Sequence, residues 1–224
     1  MLYSYIMFPT WAKNILFLLV YMISGLILVI IIEDLLSGTQ LLPLNTAIES
    51  AVVGLRTPLT TNLMVLVTQL GNPFLFSVAT VIIAGILVSR GNLYDAALLL
   101  AAFLIAVISL TVLKNIFQIT RPISPIYRAD GWSFPSGHAT LASAFFFLTG
   151  HIFFAKMKSN LNKIVLIAGS FIGALLVGLS RLYLGAHWAL DILAGFALGM
   201  LCVSFTVLMF NIFLSRRRSF RNLL

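Results

Sequence analysis

Three short stretches collect side chains able to handle a phosphate: "KNIFQITRP" (Lys114–Pro122), "FPSGHA" (Phe134–Ala139) and "SRLYLGAHWALD" (Ser180–Asp191). Lys114, Arg121 and Arg181 offer three fixed positive charges and many N–H donors, matched to phosphate oxygens. Ser136 and Gly137 stand just before an apolar run. Backbone N–H groups and the dipole of a helix starting there favour an anion, and Gly137 lets the backbone approach closely. Ser136 also suits an N-cap. His187 and Asp191 are four residues apart, the spacing that stacks two side chains on one helix face, as a nucleophile and the carboxylate that orients it. His138 is then available as general acid on a leaving group and afterwards as base on a water. The product of such a set is free phosphate, released by way of a phosphohistidine.

Phosphoryl transfer needs mainly positioning and neutralisation of the equatorial oxygens. Cationic side chains can supply both. Asp191 is the single acid in the three stretches, so they contain no carboxylate cluster for magnesium, and no cofactor or metal is expected. Lys114 and Arg121, seven apart, would lie two turns apart on one face of a continuing helix, which Pro122 then discourages.

The elements that must position these residues are membrane spans. Of the 224 residues 61% are hydrophobic and 9% charged, far from soluble averages of roughly half and a quarter. Length predicts one domain over residues 1–224, with the motif region at 114–191. Runs without charge predict six helices of roughly the 17–25 residues that a bilayer requires: Asn14–Ile32, a second placed after Asn62 within the uncharged stretch 57–89, Ala96–Leu113, Ala139–Ala155, Ile164–Ser180 and Ile192–Ser215. Apolar residues at Leu44, Ala47, Ile48, Ala51 and Leu55 predict a short interfacial helix between the first two spans. The first run reads as a retained helix, since it is long and lacks a small-x-small cleavage site.

The net charge of +8 is a topology signal and points away from nucleic acid as a partner. With the N-terminus in the cytoplasm, the inner segments carry Lys13, Arg90, Lys156, Lys158, Lys163, Arg216, Arg217, Arg218 and Arg221. The outer ones carry Arg56, Lys114, Arg121, Arg128 and Arg181. Counting spans puts all three motif stretches on that outer side. Cys202 is read as lipid-facing or core filler, with no disulfide framework, and His151 as structural. Glu33, Asp34 and Glu49 are read as a solvated face, and Arg56 and Arg128 as possible headgroup contacts. Trp11, Trp132 and Trp188 suit interfacial belts, and the "RRRSFRNLL" tail suits anionic lipid.

The three stretches resemble the signature motifs K-x6-R-P, P-S-G-H and S-R-x5-H-x3-D of the type 2 phosphatidic acid phosphatase (PAP2) family, position for position and in order. The resemblance implies an all-α bundle of six transmembrane helices with a haloperoxidase-like core. It assigns Lys114, Arg121, Ser136, Gly137 and Arg181 to phosphate binding, His138 as acid, His187 as nucleophile and Asp191 as its partner. It implies metal-free hydrolysis of lipid phosphates and diphosphates in the inner or plasma membrane, with both termini cytoplasmic and the site facing the periplasm or exterior. The compact layout is similar to bacterial members acting on undecaprenyl diphosphate or phosphatidylglycerophosphate. Two rival readings use the same residues: an anion or lipid transporter, with charges lining a pathway, and a lipid phosphotransferase. Against the first, "GNP" at Gly71–Pro73 is the only helix-breaking midpoint, and it has no counterpart in another span.

Overall fold

The structure, a computed structural model, describes residues 10–37, 42–122, 126–127 and 130–221. The expectations for Arg128 and for the side chains of the Arg216–Leu224 tail fall outside that description. The described residues form eight α-helices: α1 (Thr10–Ser37), α2 (Leu42–Val53), α3 (Pro58–Leu70), α4 (Pro73–Ser89), α5 (Leu93–Phe117), α6 (Gly137–Phe154), α7 (Asn160–Tyr183) and α8 (Ala189–Arg221). Among the described residues five helices are long and apolar enough to cross a membrane by themselves, and α3 with α4, bent by 43° at their break, makes six when the pair is counted as one span. The all-α, six-span expectation holds, with α2 as the short extra helix.

The second span departs from the sequence reading. It starts at Pro58 rather than after Asn62, and it is two helices. Thr57 caps α3 through a capping box, with Pro58 in the first turn where its missing N–H is harmless. Pro73 cannot continue α3 and holds Asn72 in extended geometry (φ −64°, ψ 133°), from which Asn72 caps α4 by accepting the Phe74 N–H. The break is therefore written in the Asn-Pro pair, which removes a donor and supplies a cap in two successive residues.

Helix α8 is the axis of the bundle, packed on α1, α5 and α6, while α6 also packs on α7. The α6/α8 crossing is close because Gly195 and Gly199, one turn apart, face α6. A Cβ at Gly195 would sit 2.7 Å from the Ser136 carbonyl oxygen, and one at Gly199 would sit 2.5 Å from that of Thr140. Small residues on α6, among them Ala139, Ala142 and Ala144, are fully buried there. Cys202 is buried in the same core, which makes it core filler rather than a lipid-facing residue. By contrast, α1 leaves Leu18, Leu19, Met22 and Leu26 about half exposed or more, the apolar outer face that a bilayer requires. His151 meets Phe17 edge-on at 4.8 Å, a packing contact between α1 and α6.

Candidate active site

Each motif stretch is shaped by a helix end. Helix α5 stops at Phe117 because Gln118 takes left-handed geometry (φ 47°) and turns its N–H back to the Lys114 carbonyl. Arg121 therefore lies beyond the helix, not two turns up one face from Lys114 as the spacing suggested. The loop is held in place by Ser133 N–H on Ile119 O at 2.7 Å and by Trp188 Nε1–H on Thr120 O at 3.1 Å. Helix α6 starts under the Ser136 cap, whose Oγ accepts the Ala139 N–H. Helix α7 closes with the Ala186 N–H on Arg181 O and the Gly185 N–H on Leu182 O, a Schellman arrangement. Gly185 (φ 66°) adopts the left-handed turn that this ending requires. That turn delivers His187 just ahead of α8, whereas the sequence reading had placed it inside the helix.

Lys114, Arg121, Gly137, His138, Arg181 and His187 line one cavity of about 380 Å³. Asp191 and Ser136 stand behind that lining. His187 is 3% exposed and Asp191 2%. Arg121 Nη1 contacts His187 Nε2 at 3.1 Å. A guanidinium only donates, so Nε2 is the acceptor and the ring proton sits on Nδ1. Nδ1 points to Asp191 Oδ2 at 3.4 Å, within ion-pair reach but misaligned for a hydrogen bond. The same Oδ2 accepts from the Trp188 N–H at 2.9 Å and from Ser133 Oγ–H. Burial, reinforced by Arg121 and Arg181 and opposed by Asp191, lowers the His187 pKa to about 4. At neutral pH the ring is thus uncharged, with its Nε2 lone pair taken by the Arg121 donor.

The three cations differ in what they leave free. Lys114 Nζ donates to the carbonyls of Trp132 (2.5 Å) and Ser133 (3.3 Å). Arg121 donates to the carbonyls of Asp130, Gly131, Trp132 and Ala186 as well as to His187, so it ties the α5–α6 loop to the turn that carries His187. Burial lowers the Arg121 pKa, opposed by Asp191 and Asp130. Arg181, 1% exposed, has its Nη1 on Thr68 Oγ1 at 2.8 Å, and its Nε is buried without a partner. The Ser136 N–H, expected to face an anion, donates instead to the Asp191 carbonyl at 2.9 Å and locks α6 to α8. Gly137 and His138 hold the first two N–H groups of α6, which have no partner inside a helix.

Among the described residues no group of three or more His, Cys, Asp or Glu side chains is arranged to hold a metal. Arg56 donates to the Tyr183 carbonyl at 3.0 Å and joins the start of α3 to the end of α7. The motifs did not reveal Thr68, Asn72, Pro73, Leu110, Tyr127 or Asp130, which complete the cavity. They also gave no sign of Ser133 as a partner of Asp191. A threonine inside an apolar run carries no sequence signal of this kind.

The pattern of the PAP2 superfamily matches residues 95–214, more than half of the chain. This chain belongs to that superfamily. It is 36% identical over 165 residues to phosphatidylglycerophosphatase B of Bacillus subtilis strain 168, covering 70% of this chain and 78% of the relative. It is 31% identical over 144 residues to undecaprenyl-diphosphatase of Sulfolobus acidocaldarius, covering 61% and 64%. The fold matches the crystal structure of a transmembrane PAP2-type phosphatidylglycerolphosphate phosphatase from Bacillus subtilis. That match has a TM-score of 0.74 and 26% identity, covering 82% of this chain and 93% of the other. Aquifex aeolicus LpxE shares the fold at a TM-score of 0.61 and 22% identity, covering 73% of this chain and 94% of the other. Its apolar helices and its PAP2 relatives make the chain a multi-pass membrane protein of a lipid phosphatase family.

Proposed function

We propose that this PAP2 protein hydrolyses a lipid phosphate or diphosphate through a phosphohistidine on His187, without a metal, on the outer face of the membrane. One observation supports this above the others. His187 turns an unprotonated Nε2 to a cationic cavity while Asp191 stands behind its Nδ1.

When a phosphate enters, its oxygens replace Nε2 as acceptors of the Arg121 Nη1 donor and meet Arg181, Lys114 and the N–H groups that open α6. His187 Nε2 attacks phosphorus as the bond to the lipid oxygen breaks, and His138 gives that oxygen its proton. The imidazole becomes cationic, and Asp191 stabilises it across 3.4 Å. His138 next takes a proton from water. The resulting hydroxide displaces Nε2 from phosphorus, the P–N electrons return to the ring, and inorganic phosphate leaves. Burial of His187, Asp191 and Arg181 strengthens each charge contact.

The lysine and arginine bias supports an outward site, with both termini in the cytoplasm and residues 1–224 acting as one domain. The relatives' names support phosphatidylglycerophosphate and undecaprenyl diphosphate as substrates. The test is phosphate release by the purified protein in detergent with EDTA, offered both lipids and phosphatidic acid, with His187→Ala as control. Release that persists in EDTA and disappears in the variant is expected, together with an acid-labile, alkali-stable phosphoenzyme in the wild type. Turnover by a folded His187→Ala protein would refute the mechanism.

A further inference from the structure

Arg181 is the cation with donors to spare, because Arg121 and Lys114 spend theirs largely on loop carbonyls. What aims it lies outside all three motif stretches. We infer that Thr68, on the broken second span, is the positioning residue that holds Arg181 toward the phosphate. This rests on the phosphatase reading above, in which Arg181 is an anion anchor.

The geometry is a chain of three contacts between antiparallel α3 and α7. At the outer end, Tyr183 Oη meets Thr60 Oγ1 at 2.5 Å and the Thr57 N–H at 3.1 Å. At the inner end Gly71 faces Val177, where a Cβ would lie 2.6 Å from Val177 Cγ2, so only glycine lets α3 close on α7. Between them Thr68, 1% exposed, accepts from Arg181 Nη1 at 2.8 Å. Helical side chains lean toward their own N-terminus, so Arg181 reaches back along α7 to the level of Thr68. The Tyr127 ring adds a cation–π contact, its centroid 5.5 Å from the Arg181 guanidinium carbon. With one end bonded to Thr68, the guanidinium keeps its other donors, the buried Nε among them without a partner, on a residue that lines the cavity. A hydroxyl is the group that suits this place. A carboxylate would neutralise Arg181, and an aliphatic side chain would leave a second buried N–H unpaired.

The experiment uses the full-length protein in detergent, with Thr68→Val to remove the hydroxyl and Thr68→Ser to keep it. Turnover of the best lipid phosphate and inhibition by orthovanadate are both measured, and thermal midpoints confirm folding. Thr68→Val should lower kcat/KM and weaken vanadate inhibition about tenfold, the size expected for a lost hydrogen bond to a charged group. Thr68→Ser should stay within about twofold of wild type, on the same reasoning. Combined with Arg181→Lys, the two losses should not multiply, since both act through one guanidinium. A folded Thr68→Val protein with wild-type vanadate inhibition would overturn the assignment, as would a Thr68→Ser protein as impaired as Thr68→Val, or losses that multiply. A wild type that releases no phosphate and ignores vanadate would instead refute the phosphatase reading, and this assignment with it.

Discussion

Asp191→Asn separates charge from shape at the centre of the site. The carboxylate oxygen Oδ2 faces His187 Nδ1 at 3.4 Å while accepting from the Trp188 N–H and Ser133 Oγ–H. An asparagine that keeps its carbonyl oxygen there retains both accepted bonds and most of the volume, and loses only the negative charge. With one full charge on the phosphorylated imidazole, Coulomb's law at an effective dielectric of 20 gives about 5 kcal/mol at that separation. A transition state with about half the charge developed loses about 2.5 kcal/mol, or roughly 70-fold in kcat. An asparagine flipped to present its amide would force the proton onto Nε2 and deepen the loss. The expectation is a kcat lowered between roughly 50- and 1,000-fold, a correspondingly slower build-up of phosphoenzyme trapped by alkaline quench, and a thermal midpoint close to wild type. The assay is rapid-quench measurement of phosphoenzyme and dephosphorylated lipid, with steady-state phosphate release, by matched preparations in one detergent. A kcat within twofold of wild type would refute the claim that Asp191 acts through its charge on His187. So would an activity loss fully accounted for by unfolding.

The pKa of His187 and the close α6/α8 crossing give two further tests. His187 titrates near 4 in the folded protein against about 6.5 when unfolded, so between those values the unfolded chain binds the extra proton. Stability is lost as pH falls through that window, by on the order of 3 kcal/mol from this group. His187→Asn should therefore lose less of its thermal midpoint than wild type between pH 7 and pH 4.5, and equal losses would refute the assignment. In the α6/α8 crossing, Gly199→Ala puts a Cβ into the Thr140 carbonyl and Ser143 Oγ, both held within α6. It should cost about 1–3 kcal/mol on thermal unfolding. Gly85→Ala, where a Cβ meets nothing within 4 Å, is the matched control and should not destabilise.

The sequence marked the candidate residues more fully than it marked their geometry, for physical reasons. Charge and its absence are local properties, so the spans and the three motif stretches could be read directly from runs and spacings. Helix ends were harder to place, because caps and tertiary bonds keep polar residues helical: α1 runs on through Glu33 and Asp34, and α3 includes Thr60 and Thr61, which bond Tyr183. Helix α2 shows the same limit. Its apolar Leu44, Ala47 and Ala51 are exposed, while Asn45 is buried and accepts the Leu190 N–H at the start of α8, a use of a polar residue that periodicity does not foresee. Pairings across long separations were beyond reach altogether. Thr68 meets Arg181 across 113 residues, and Ser133 meets Asp191 across 58. Nothing near either threonine or serine marks its partner. The glycines connect the two levels. Gly195 allows α8 to approach the Ser136 carbonyl, and the neighbouring Ser136 N–H then bonds the Asp191 carbonyl. The residues that hold the proposed nucleophile and those at the start of α6, the proposed anion site, are thereby fixed by one crossing. A substitution that spreads this crossing should impair phosphate binding and His187 orientation together, although it touches neither.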